Sequence, residues 1–132
     1  VCMEKCAELI EAIDDLRRNG LMDWTRTHLI EEMADVLICL SLLERMYDVK
    51  GRSTRTYHPS PVGACVTLIM AISKILRYDT EKERLNELAD AMADVRRRLI
   101  LLKDKNDITQ RELDEWVERK TVRQQRRMKD DK

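Results

Sequence analysis

The stretch "HLIEEMADVLICLSLL", His28–Leu43, decides the fold class of this chain. Its apolar residues recur at alternating spacings of three and four, which is the period of an amphipathic helix. This pattern predicts a long helix from about Thr27 to Val49. The apolar stripe of that helix consists of Leu29, Met33, Val36, Leu40, Leu43 and Tyr47.

A closely similar stretch, "ELADAMADVRRRLILL", follows at Glu87–Leu102, fifty-nine residues later. The same shift aligns Cys6 with Cys65 and Arg18 with Arg77 without a gap. We interpret the agreement as a tandem duplication of a helix hairpin. Two such hairpins joined by short loops bury their apolar faces against each other, so we expect an all-α four-helix bundle with an additional C-terminal helix.

Composition supports this fold class and limits the possible partners. Of 132 residues, 43% are apolar and 38% charged, with three glycines, two prolines and no phenylalanine, as expected for one helical domain. The formal net charge is zero, so no overall field attracts nucleic acid or an anionic membrane. No apolar stretch approaches the roughly 20 residues that span a bilayer. We therefore expect a soluble cytoplasmic protein without a membrane partner.

The chain divides into segments that together form a single domain, 1–132. These are a first hairpin at 1–49, a linker at 50–60, a second hairpin at 61–107 and a basic C-terminal helix at 108–132. Asn19-Gly20 ends the first helix, because both residues tolerate a left-handed cap conformation. The helix-start signals are Ser60 before Pro61 and the capping boxes Thr80 with Glu83 and Thr109 with Glu112. The four cysteines form no CxxC pair, and we expect small core residues rather than disulfides or a zinc site.

Four carboxylates of the first hairpin form a candidate site. Glu4 and Glu8 lie on one predicted helix, and Glu32 and Asp35 lie at i, i+3 on the next, so that the latter two leave the same face. Asp35 stands in an almost entirely apolar segment and is expected to point inward, where a carboxylate is costly unless it is paired or holds a metal. Two carboxylates from each helix would form an oxygen cage suited to Mg²⁺. The alternative is that these acids are solvated or form ion pairs.

The segments "MEKCAELIEAI", Met3–Ile13, and "HLIEEMADVLICL", His28–Leu40, resemble the MazG-like all-α nucleotide pyrophosphohydrolases, especially phage and mobile-element members. This superfamily also contains the dimeric dUTPases. Its members hold magnesium with E-x-x-E on one helix and E-x-x-D on the next. The resemblance implies hydrolysis of a nucleoside triphosphate to the monophosphate and pyrophosphate, with Glu8, Glu32 and Asp35 as catalytic metal ligands and Glu4 as a further candidate ligand.

Lys5 departs from this pattern, because the family has a glutamate at its position. An ammonium there would pair with Glu8, Glu32 or Asp35 and would weaken magnesium binding. The alternative function is therefore a catalytically impaired module that binds nucleotides or a protein partner. The second hairpin departs further, since the positions equivalent to the four motif residues hold Ala64, Thr67, Ala91 and Asp94. It is expected to serve as a scaffold, so that the chain is a monomer resembling a fused dimer, or a homodimer.

The last helix carries a separate basic signal. The segment "RKTVRQQRRMK", Arg119–Lys129, has six basic residues and no acid. The family resemblance implies that Lys120 and Arg123 contact the triphosphate. A solvated basic face is the alternative, and nucleic-acid binding is a weaker one because the patch is short and the chain neutral. Trp24 either stacks on a base or caps the core, and His28 and His58 are expected at the surface or at helix caps.

Overall fold

The computed structural model describes residues 1–48, 60–78 and 81–130. These ranges are helical apart from the short connections, which confirms the all-α class. They contain five helices: α1 (Cys2–Asn19), α2 (Asp23–Tyr47), α3 (Pro61–Arg77), α4 (Lys82–Lys105) and α5 (Gln110–Asp130). None of these helices is long and apolar enough to cross a membrane.

Three of the predicted helix ends are confirmed. Gly20 ends α1 with a φ of 77°, in the region that favours glycine. Ser60 Oγ accepts a hydrogen bond from the Gly63 amide at 3.0 Å, directly before Pro61 opens α3. Thr109 and Glu112 form the reciprocal capping box of α5. The Thr80–Glu83 box, His58 and nearly all of the linker at 50–60 lie outside the described residues.

The predicted start of α2 at Thr27 is wrong, because the helix begins at Asp23. Thr25 explains the difference. Its hydroxyl accepts a hydrogen bond from the Met22 amide at 2.8 Å and lies 2.8 Å from the Gly20 carbonyl oxygen, to which it donates. This buried side chain thus satisfies an amide at the helix start that would otherwise lack a partner. The far end of α2 is Tyr47, two residues before the predicted end.

Packing follows the hairpin arrangement. Helix α1 packs on α2, α3 packs on α4, and the hairpins join chiefly through α1 and α3, with a minor contact between α2 and α4. Helix α5 lies along α2. The buried core repeats at the shift of 59 in the pairs Cys6/Cys65, Leu9/Leu68, Ala12/Ala71, Ile13/Ile72, Leu29/Leu88, Met33/Met92, Val36/Val95, Leu40/Leu99 and Leu43/Leu102.

The backbone after each hairpin repeats as well. Asp48 follows α2 with a φ of 50°, and Asp107, fifty-nine residues later, follows α4 with a φ of 55°. Positive φ is uncommon for a residue other than glycine, and aspartate is among the residues that tolerate it. The two chain segments therefore share a backbone conformation at this aspartate as well as a core pattern, which is what a duplication would produce.

Candidate metal centre

Three carboxylates from the first hairpin meet between α1 and α2. Glu8 on α1 and Glu32 and Asp35 on α2 each offer one oxygen, and these oxygens lie within 4.8 Å of one another. The i, i+3 spacing places Glu32 and Asp35 on the same face of α2, and the packing of α1 brings Glu8 against that face. The structure thus brings together the three residues that the sequence motifs selected.

Glu32 is the most buried member of this cluster. Its side chain is 11% exposed, and its Oε2 atom is buried without a hydrogen-bond partner among the described residues. Burial, then a hydrogen bond with Glu8 and the negative charges of Glu8 and Asp35, raise the pKa of Glu32 to about 7, against the opposing effect of Lys120. A buried carboxylate oxygen without a donor is costly. Either a proton or a cation would satisfy it, so the donor set fits a hard metal ion.

Two lysines reach the cluster, Lys5 from α1 and Lys120 from α5. Lys5 Nζ lies 3.3 Å from Glu8 Oε2 and 3.5 Å from Asp35 Oδ2, and Lys120 Nζ lies 2.9 Å from Asp35 Oδ2. Burial disfavours the Lys5 ammonium, but Asp35, Glu8 and Glu32 outweigh it and raise the Lys5 pKa. The predicted pairing of Lys5 is confirmed, with Glu8 and Asp35 as its partners.

An open pocket of about 210 Å³ adjoins these ion pairs. Four basic residues line it, namely Lys5, Lys120, Arg123 and Arg127, together with Asp35, Ile38 and Gln124. The three basic residues of α5 share one face because they lie at i, i+3 and i+7. Since α5 presents this face towards Asp35, the basic stripe predicted from the sequence lies directly beside the carboxylates. We call this cavity the cationic pocket.

His28 is a residue of this region that the sequence analysis placed at the surface or at a cap. Its Nε2 atom lies 3.8 Å from Glu32 Oε1, and its Nδ1 atom lies 3.5 Å from Asp15 Oδ2. The side chain is only 33% exposed. The i, i+4 spacing from His28 to Glu32 is the sequence feature that could have predicted their contact. The contact between His28 and Asp15, near the end of α1, depends on how α1 packs on α2 and could not be predicted from spacing.

Two predicted site residues stand apart from the cluster. Glu4 is exposed and does not belong to the carboxylate group found among the described residues. At 3.6 residues per turn, its direction differs by about 100° from that of Lys5, which does reach the site. Trp24 is 52% exposed in the first turn of α2, and the eleven residues to Asp35 correspond to about 16 Å of helix. It neither caps the core nor lines the cationic pocket.

The second hairpin has no equivalent cluster among the described residues. Ala64 and Ala91 are buried at the positions of Lys5 and Glu32, and neither side chain can bind a metal. Asp94, the counterpart of Asp35, is 6% exposed and has one oxygen, Oδ1, without a hydrogen-bond partner among the described residues. The first hairpin alone therefore assembles the candidate site.

Comparison of the chain with protein-family models, curated proteins and solved structures finds no match. The geometry of the site and the two sequence motifs are therefore the observations that bear on function.

Proposed function

We propose that this chain is a magnesium-dependent nucleoside triphosphate pyrophosphohydrolase of the MazG-like type. One observation carries the proposal: a buried carboxylate oxygen without a donor, on Glu32, lies in a three-carboxylate cluster that directly adjoins a cationic pocket. A carboxylate cluster beside a group of basic side chains suits a metal ion and the phosphates that would bind with it.

Glu8, Glu32 and Asp35 are the residues that would hold the ion, because oxygen ligands are the ones that Mg²⁺ prefers. When bound, the ion supplies positive charge at the phosphates and increases the acidity of a bound water. Arg123 and Arg127 bind the phosphate oxygens. Neither forms an ion pair within the described part of the chain, so both are available to an anion. Lys120 leaves Asp35 for a phosphate oxygen, which returns Asp35 to the ligand set.

The reaction places a water molecule in line with the α-phosphorus. The water oxygen forms a bond to that phosphorus, and the bond from the α-phosphorus to the bridging oxygen breaks. Pyrophosphate leaves with the bonding electrons, and a carboxylate of the cluster orients the water and accepts its proton. Arg123 and Lys120 stabilise the charge that develops on the departing pyrophosphate.

A second function is favoured by Lys5. Its ammonium occupies the space between Glu8 and Asp35, where the family pattern has a carboxylate. Two like unit charges 4 Å apart repel by about 4 kcal/mol at an effective dielectric constant of 20. The alternative is therefore a catalytically impaired protein that binds nucleotides through the cationic pocket, or a protein partner, without turnover.

Pyrophosphate release from a panel of nucleoside and deoxynucleoside triphosphates with Mg²⁺ tests the proposal. We expect Glu32→Gln to abolish release, because it removes the buried charge while keeping the shape of the side chain. Asp94→Asn is the matched control at the equivalent buried region of the second hairpin and should leave release largely intact. Equal losses in both variants would show that the halves are misassigned.

Calorimetry with a non-hydrolysable triphosphate separates the two functions. Binding without pyrophosphate release from any triphosphate would support the nucleotide-binding alternative and reject the enzyme. Absence of binding with and without Mg²⁺ would reject nucleotides as ligands.

A further inference from the structure

A second pocket lies on another part of the molecule. It has a volume of about 290 Å³ and forms where the ends of α1 and α4 meet the start of α3. Its lining shares no residue with the carboxylate cluster or the cationic pocket. We call it the hairpin-end pocket. Its walls include Leu16, Pro61 and Leu101, and Arg17, Arg98 and Lys105 converge on it.

The charged residues that line the hairpin-end pocket are basic. Among the described residues, no acidic one lines it. Arg17 and Lys105 are exposed and form no ion pair within the described part of the chain.

The duplicated chain provides an internal comparison for each lining position. At the shift of 59, the walls keep their apolar character, since Leu16 corresponds to Ile75 and Leu101 to Leu42. The three cations change completely: Arg17, Arg98 and Lys105 correspond to Leu76, Cys39 and Met46.

On α2, the positions that correspond to Arg98 and Lys105 hold apolar residues. On α3, the position that corresponds to Arg17 holds Leu76. Leu76 and Met46 are 64% and 69% exposed, so two of the three corresponding positions also face solvent. The architecture of the bundle does not require basic residues at this place. All three differences between the copies place a positive charge at the same pocket.

We infer that the hairpin-end pocket binds a small organic anion, a phosphate or carboxylate group attached to an apolar body. The basic residues bind the charged group and the apolar walls cover the remainder, a combination typical of small-molecule sites. A volume of about 290 Å³ admits a ligand of one or two rings and excludes a folded partner. This site is distinct from the carboxylate cluster and does not depend on the function proposed for it.

Methyl-labelled protein titrated with naphthyl phosphate tests the inference, with naphthol and inorganic phosphate as partial ligands. We expect resonance shifts at the methyl groups of Leu16 and Leu101, with tighter binding than either partial ligand shows. The Ile38 methyl group, which lines the cationic pocket, reports separately on binding there. Shifts at Ile38 without shifts at Leu16 and Leu101 would overturn the inference.

The decisive variant exchanges two cations for their counterparts in the other copy, Arg17→Leu with Lys105→Met. Both residues are exposed, and the protein already uses leucine and methionine at the equivalent positions. We expect naphthyl phosphate binding at Leu16 and Leu101 to weaken by about tenfold or more, a loss of about 1.4 kcal/mol. Circular dichroism verifies the helical fold of the variant.

Arg18→Leu is the matched control, because Arg18 neighbours Arg17, is exposed and pairs with Asp14 outside the pocket. It should leave the affinity unchanged. An equal loss in the control would show a general charge effect and reject the site, as would unchanged binding in the double variant. Glu32→Gln should retain naphthyl phosphate binding at the hairpin-end pocket. The binding result can therefore be interpreted even if the proposed hydrolase function is rejected.

Discussion

At the scale of single residues, Lys5 has the largest influence on what the carboxylate cluster can do. Its ammonium places positive charge beside the carboxylates, and it contacts two of the three acids. Lys120 adds a second ammonium on Asp35. The cluster is thus largely neutralised by the protein's own cations, and within the cluster it is Glu32 Oε2 that is buried without a donor among the described residues.

Replacing Lys5 therefore should change metal binding strongly. We expect Lys5→Glu to tighten Mg²⁺ binding by up to about a thousandfold, because repulsion of about 4 kcal/mol is removed and a ligand is gained. Calorimetry without nucleotide measures the change, and any pyrophosphohydrolase rate should rise with it. Lys74→Glu, the same charge change on α3, should have little effect. Tight binding by the unaltered protein, with no change in Lys5→Glu, would place Lys5 outside the site.

At the scale of helices, α5 is held along α2 by two long-range ion pairs. Arg26 near the start of α2 makes a bidentate contact with Glu112 at 2.7 and 2.8 Å and also donates to the Asp107 carbonyl oxygen. Further along both helices, Lys120 meets Asp35. The order of these contacts shows that α2 and α5 run in the same direction. The Arg26–Glu112 contact thereby sets the position from which α5 presents its basic face.

The Arg26–Glu112 contact makes the docking of α5 sensitive to acid. Arg26, followed by the Thr109 amide, lowers the Glu112 pKa from 4.5 to about 2. Because the folded-state pKa lies below the unfolded value, the stabilisation is complete above pH 4.5 and disappears as the pH falls to about 2. Urea denaturation between pH 6 and 2 should show Glu112→Gln less stable than the unaltered protein at pH 6, with the difference vanishing near pH 2.

Glu118→Gln is the control for this prediction, since Glu118 is an exposed acid on the same helix. Its stability should follow that of the unaltered protein at every pH. A constant difference between Glu112→Gln and the unaltered protein down to pH 2 would mean that the ion pair does not titrate in this range.

At the scale of the whole molecule, the two hairpins share one core. Leu9 and Leu68 occupy equivalent positions, are 0% and 1% exposed, and belong to the same cluster of buried residues. Helices α1 and α3, which carry them, form the main contact between the hairpins. Neither hairpin can therefore lose its packing without exposing the apolar face of the other.

A shared core predicts one cooperative unfolding transition and equal sensitivity of the two halves. Leu9→Ala and Leu68→Ala should each lower the free energy of unfolding by about 2–5 kcal/mol, since each leaves a cavity in a closely packed interior. Calorimetry and denaturant titration measure both. Leu76→Ala, at an exposed position on α3, should cost much less. Two separate transitions, or a loss confined to one half, would contradict the shared core.

The local sequence pattern predicts the five helices, three of their ends and the two motifs that supply the carboxylates. These properties are local, because apolar periodicity, caps and an i, i+3 spacing act within a few turns of one helix. The start of α2 nevertheless differs from the prediction, because the Thr25 hydroxyl donates to the Gly20 carbonyl oxygen of the preceding turn.

Which groups meet those motifs depends on tertiary packing, which selected Glu8 and Asp35 among the predicted partners of Lys5. The places of Lys5 and Lys120 on Asp35, of His28 between Asp15 and Glu32, and of three cations at the hairpin-end pocket depend on how each helix is rotated against its neighbours. That rotation is set by core packing between residues far apart in the chain. Glu4 and Trp24 lie apart from the cluster for the same reason, because sequence spacing fixes a residue's place on its own helix but not the surface that the helix faces.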